Sequence, residues 1–191
     1  MKRLLGSELR VIRKQTKEIE YFKVIEYIVD YIFDFKPIIR NEETISYHSW
    51  LLKFKQNTDF YYDVWEANID GSGFSEGIEY SVKVISEQTE ECKKVSVIPC
   101  FPKFSQYVVI SKGVYEGLRV DAVRYPSPDH MTGWWLTTEL YDDNIDSLMN
   151  VHYFDLAFRR PDLLPCLALP YGYRFSLNGN DIDIWYDEKV L

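Results

Sequence analysis

Apolar residues recur at helical spacing over two long stretches of this 191-residue chain, 7–35 and 76–95. Most of the remainder falls into short β-branched and aromatic runs cut by turn residues. In the first stretch Ile19, Phe22, Ile25, Val29, Ile32 and Phe33 form a wide apolar arc, and Lys23, Glu26, Asp30 and Asp34 a narrow polar stripe. An arc that wide belongs to a helix buried on more than one side or laid over a sheet. The pattern allows a break near Gln15-Thr16, and Pro37 ends the helix. The second stretch sets Ile78, Val82, Ile85, Thr89 and Cys92 along one face. Together these features predict an α+β fold, with a largely antiparallel sheet, a long N-terminal helix and a second helix packed on the sheet.

Two strands are expected at 45–55 and 60–67, around the polar turn Gln56–Asp59. Beyond the second helix the chain turns β-rich, with strands expected at 107–111, 118–125 and 133–138. Pro126-Ser-Pro-Asp-His130 cannot sit inside a sheet. Residues 160–167 read as a short helix with Pro161 in its first turn. Residues 173–177 and 181–186 read as a closing hairpin about Asn178-Gly-Asn180. The expected division is a helical extension, 1–45, and an α+β domain, 46–191.

The formal net charge is −8, which argues against a general nucleic-acid binder, because phosphate needs a cationic face. Residues 1–17 hold Lys2, Arg3, Arg10, Arg13, Lys14 and Lys17 against Glu8, so the rest of the chain is more acidic than the total suggests. An acidic body steers a basic partner toward itself. Cys92, Cys100 and Cys166 form no CxxC pair, which fits free thiols in a reducing compartment. Glu8 and Arg10 interrupt any signal-type apolar run, and Glu26, Asp30 and Asp34 interrupt the apolar stretch 24–39, so a cytoplasmic protein without membrane spans is expected.

Three motifs carry possible chemistry. Asn68-Ile-Asp-Gly-Ser-Gly73, extended to Glu79, offers Asn68, Asp70, Ser72 and Glu79 as calcium ligands about the turn glycine Gly73. The incoming strand and the Asn in first place count against it, and the plain alternative is a polar turn. Ser127-Pro-Asp-His130 puts a hydroxyl, a carboxylate and an imidazole together, which raises a hydrolase using Asp129 and His130. Neighbours in sequence seldom form a triad, however, and a proline-stiffened turn is the plainer account. His48, His130 and His152 have no metal spacing, and no GxSxG, P-loop or GxGxxG occurs, so neither a catalytic residue nor a cofactor is assigned. Trp134 and Trp135 must point to opposite faces of one strand, so one ring is either buried by a second layer or offered to a partner. Tyr125, Asp129, His130, Trp134, Trp135 and Tyr171 are the candidate partner-binding residues, because aromatics beside charges make interface anchors.

Four segments carry a family resemblance: Phe101-Pro-Lys-Phe-Ser-Gln-Tyr-Val-Val-Ile-Ser111, Gly113-Val-Tyr-Glu-Gly117, Arg124-Tyr-Pro-Ser-Pro-Asp-His-Met-Thr-Gly-Trp-Trp135, and the stretch from Arg160-Pro-Asp-Leu to Leu167-Ala-Leu-Pro-Tyr-Gly-Tyr-Arg-Phe175. Over about residues 60–176 the chain resembles a bacterial immunity-protein-like domain of polymorphic toxin systems. That resemblance implies a cytoplasmic, non-enzymatic inhibitor that binds a cognate toxin domain by occlusion. Trp134, Trp135, Pro170 and Gly172 are the positions that carry over, and residues 1–45 lie outside the pattern. An acidic body would suit a basic toxin such as a nuclease.

Overall fold

A computed structural model describes residues 8–15, 17–57 and 61–191, and the chain divides into two compact units, Met1–Ile85 and Ser86–Leu191. The fold is α+β, as its periodicities predict, with two sheets that are mostly antiparallel. Among the described residues each sheet also carries one parallel pair.

The first unit holds β1 (Glu8–Arg10), α1 (Glu18–Phe35), β2 (Thr44–Tyr47), β3 (Trp50–Gln56), β4 (Tyr61–Ala67) and β5 (Phe74–Glu76). Strand order is β1-β4-β3-β2, with β5 also paired to β4. The expected helix over 7–35 is corrected here. Glu8–Arg10 is extended and pairs in parallel with β4, where Arg10 Nε and Nη2 donate to the Asp63 carboxylate at 2.6 and 3.0 Å. The helix begins only at Glu18, after the expected break, of which Thr16 lies outside the described residues. It ends where Lys36 takes a left-handed conformation and donates its N–H to Ile32 O, directly before Pro37. Val24, Ile28 and Ile32 are its buried stripe, whereas Ile19, Phe22 and Phe33, all assigned to the apolar arc, are exposed.

The expected strand 45–55 is two strands. His48 at φ 51° reverses the chain between Tyr47 and Trp50, so that β2 and β3 pair as a tight hairpin. Trp50, Leu52 and Phe54 then point inward at alternate positions. Of the turn Gln56–Asp59, residues 58 and 59 lie outside the described residues.

The division between units falls within α2 (Glu79–Lys94). Its buried positions are Ser81, Val84, Ile85, Gln88 and Cys92, so Ile85 and Cys92 face inward as expected while Val82 and Thr89 sit half-exposed. The second unit continues with β6 (Tyr107–Ile110), β7 (Val120–Arg124), β8 (Met131–Thr137), β9 (Met149–His152), α3 (Tyr153–Arg159), a 3-10 segment at Pro161–Cys166, β10 (Tyr173–Asn178) and β11 (Asp181–Tyr186). These strands make one six-stranded sheet in the order β11-β10-β7-β8-β6-β9.

Alternation gives this sheet a packed face and an open one. Val108, Ile110, Val120, Ala122, Trp134, Leu136, Phe175 and Leu177 form the packed face and are almost wholly buried. The cover of this core includes α3 and the segment 161–169, where Leu156, Leu163, Leu164, Leu167 and Leu169 are inaccessible or nearly so. Gln88 of α2 donates to Leu164 O and Tyr153 Oη, tying the helix to that layer.

Candidate functional site

The open face of the six-stranded sheet is built by strand register. One cross-strand row runs Trp185, Arg174, Val123, Trp135, Val109, Asn150, each paired with the next across neighbouring strands. A second row on the same face runs Asp183, Ser176, Asp121, Thr137. A row of two tryptophans and two valines, interrupted by Arg174 and ended by Asn150, thus lies beside a row bearing two carboxylates.

Gly133 decides which tryptophan faces where. It sits inside β8 at φ +83°, and a Cβ added there would lie 2.2 Å from the Tyr125 carbonyl oxygen. The pairing of β6 with β8 shifts at this place, from Tyr107 opposite Met131 to Val109 opposite Trp135. Only a residue without a side chain allows that kink together with so close an approach. Trp134 then points into the core at 0% exposure, donates Nε1–H to Leu167 O at 2.9 Å, and meets Phe175 edge-to-face. Trp135 points to the open face, half-buried, with Tyr125 edge-to-face at 5.8 Å and 76°.

Trp135 and Tyr125 line a groove of about 510 Å³ together with Val109, Met131 and Asn150, walled by Pro126-Ser-Pro128. The wall is held by its backbone. Met131 N donates to Pro128 O and Tyr107 N to His130 O, while Gln106 Nε2 donates to Asp129 O and Met131 O. Such bonding sets the groove's shape before any ligand arrives.

The sequence candidates therefore separate. Tyr125 and Trp135 meet in the groove. Asp129 and His130 stand exposed on the wall turn, outside the lining. Trp134 is corrected from contact to core. Tyr171 is half-buried, with the Arg124 guanidinium 4.9 Å above its ring. Arg124 itself is 2% exposed and donates to Thr132 O, Cys100 O and Leu169 O. It cross-links the strands and the covering segment rather than presenting charge, and burial lowers its pKa. Gly133, Val109, Met131, Asn150 and Trp185 were not among the candidates. A glycine inside a strand run was the available signal for the first; the others depend on register.

The other chemical motifs do not assemble a site. In the Asn68–Glu79 stretch, Asn68 Nδ2 donates to Ser72 Oγ, Ser75 Oγ to Asn68 Oδ1, and Ser72 N to Asp70 Oδ1, which closes a polar turn on itself. Glu79 turns away and accepts from Lys14 N and Gln15 N. The four oxygens proposed for calcium therefore do not converge. Among the described residues no group of three or more His, Cys, Asp or Glu is placed to hold a metal. Asp129 and His130 lie on an exposed turn and do not line the Trp135 groove, where the hydrolase reading expected them in a concave site. Burial pushes the thiols of Cys92 and Cys166 up to about 11 and about 12, so both stay protonated and inert. No helix among the described residues is long and apolar enough to cross a membrane.

No curated protein and no solved structure matches this chain. A family model described as an Imm33-like domain does match, over residues 87–187. That span begins later than the resemblance at 60–176, runs eleven residues further, and coincides with the second unit nearly end to end. Because the match takes in more than half the chain, and with it the whole sheet that carries the Trp135 groove, the protein belongs to the Imm33-like family of immunity-protein-like domains.

Proposed function

We propose that this chain is a non-enzymatic immunity protein that neutralises a cognate bacterial toxin domain by occlusion, and that the open face of its six-stranded sheet makes the contact. The observation that carries the reading is the half-buried Trp135, paired with Tyr125 in a groove on the open sheet face of the family-matched unit. Interface anchors are typically large aromatics held rigidly in such settings. Occlusion needs a preformed surface and no reacting group, and the groove offers aromatic, apolar and amide side chains with the Ser127 hydroxyl, whose bond goes to Met131 O rather than to a base.

The test is a stoichiometric titration. The partner that copurifies with the tagged chain is assayed for its own toxic activity while the chain is added. The reading expects inhibition that is complete at an equimolar ratio and leaves the partner chemically unchanged. Inhibition at a small fraction of that ratio would mean turnover and an enzyme. The absence of any copurifying protein would remove the immunity reading.

A further inference from the structure

Three half-buried aromatic rings elsewhere in this protein each carry one of its own cations. Lys55 Nζ lies 4.0 Å above Trp65, Lys53 Nζ 3.9 Å above Phe74, and the Arg159 guanidinium 4.2 Å above Tyr115. Even buried Trp134 has Arg124 at 5.7 Å. Among the described residues no cation of this chain lies over Trp135 or Tyr125, and the two rings contact each other. An edge-to-face pair occupies one face of one ring, so electron-rich π surface is left beside the groove.

The surroundings are cation-poor as well. Between Val120 and Asp187 the sequence has eleven Asp and Glu, four Arg and no Lys. Arg124 and Arg160 are buried, Arg159 sits on Tyr115, and Arg174 Nε lies 2.8 Å from the Asp187 carboxylate. Asp129 projects from the wall turn, and Asp121, whose carboxylate is paired with Arg119 at 3.0 Å, lies in the row next to Trp135. Asp142, Asp143 and Asp146 are exposed in the segment leading into Asn150.

We infer that the Trp135–Tyr125 groove is a receptor for one cationic side chain of the protein partner, with arginine preferred over lysine. This rests on the proposed binding role and adds the chemistry of its anchor. A guanidinium is planar and weakly hydrated, so it stacks on an aromatic face at less desolvation cost than an ammonium. Its aliphatic stem would lie on Val109 and Met131, and the Asn150 amide oxygen would accept one of its N–H groups. Exposed Asp129 on the wall turn adds a carboxylate beside the groove, and the acidic balance of the chain raises the encounter rate with a basic surface.

The probe is a blocked pentapeptide with a single arginine among glycines, titrated into the 15N-labelled full chain. A lysine version and a citrulline version, the latter of arginine's shape without its charge, are run in parallel. The arginine peptide should shift the Trp135 indole N–H saturably, the lysine peptide should bind about threefold more weakly, and the citrulline peptide about tenfold more weakly. The arginine response should shrink as salt rises, and Tyr125→Leu, which keeps the Trp135 indole as reporter, should abolish it; if that variant does not fold, Trp135→Leu replaces it and is read at the Val109 and Asn150 amides. Equal binding of the citrulline peptide, shifts scattered over the acidic surface instead of the groove, or no response at millimolar peptide would each overturn the receptor. Those outcomes leave the inhibition titration to decide the immunity role separately.

Discussion

At the residue scale, two adjacent tryptophans do different work because the residue before them has no side chain. Trp134 is wholly buried with its indole N–H satisfied, and Trp135 faces the open side. Replacing Trp134 by Ala should cost about 3–5 kcal/mol, as expected for emptying a buried aromatic site. Trp135→Ala should cost less, since its ring is only half-buried. Gly133→Ala adds a Cβ against the Tyr125 carbonyl at φ +83°, and should destabilise by roughly 1–3 kcal/mol from backbone strain alone. Urea unfolding midpoints of the three variants check this order. If Trp134→Ala and Trp135→Ala were equal, the division into core and contact would fail. The alternation of Trp134 and Trp135 could be read from sequence. Which ring went inward could not, because the answer depends on the bulge at Gly133 and on the segment 161–169 that covers one face only.

At the scale of elements, two carboxylates respond to pH in opposite directions. Asp63 on β4 is held below the usual carboxylate range, first by its hydrogen bonds from Arg10 and then by the amide of Asn57. A depressed folded value contributes stability above the unfolded pKa that is lost as pH falls through the folded one. Asp63→Asn should therefore flatten the acid limb of the stability profile and release β1, read as faster amide exchange at Glu8–Arg10. Glu66 on β4 accepts from Tyr80 N, Ser81 N and Ser81 Oγ at the start of α2, yet burial raises its pKa. A raised carboxyl contributes stability at low pH that is lost as pH rises from the unfolded value through the folded one. Glu66→Gln keeps an acceptor and should remove that loss, whereas Glu66→Ala should cost about 1–3 kcal/mol by orphaning buried donors. Thermal melts across the acid range distinguish the two signs.

The elements themselves were unequally legible. The closing hairpin and the strands β4, β6, β7 and β8 follow from their apolar runs and turn residues. The strand β1 did not, since three residues held by Arg10 and Asp63, far apart in sequence, carry no periodicity of their own. Likewise β9 and α3 are four and seven residues long, and their contacts come from β6 and the 161–169 segment. Of the apolar arc expected for α1 only Ile32 is buried; the packed stripe is Val24–Ile28–Ile32, and Ile19, Phe22 and Phe33 stand exposed.

At the scale of the whole molecule, charge and chemistry separate. The acidic balance suggested a basic partner from composition, while the groove that could anchor one needs six strands in register. The family match falls on the unit that contains this groove. The most direct measurement is the inhibition titration run with wild type and with Trp135→Ala, after equal melting temperatures show both to be folded. The account predicts complete inhibition at equimolar wild type and a loss of at least tenfold in affinity for the variant, about 1.4 kcal/mol at one anchor. A Trp135→Ala protein that protects as well as wild type would contradict it, and would place the contact elsewhere than on the open sheet face.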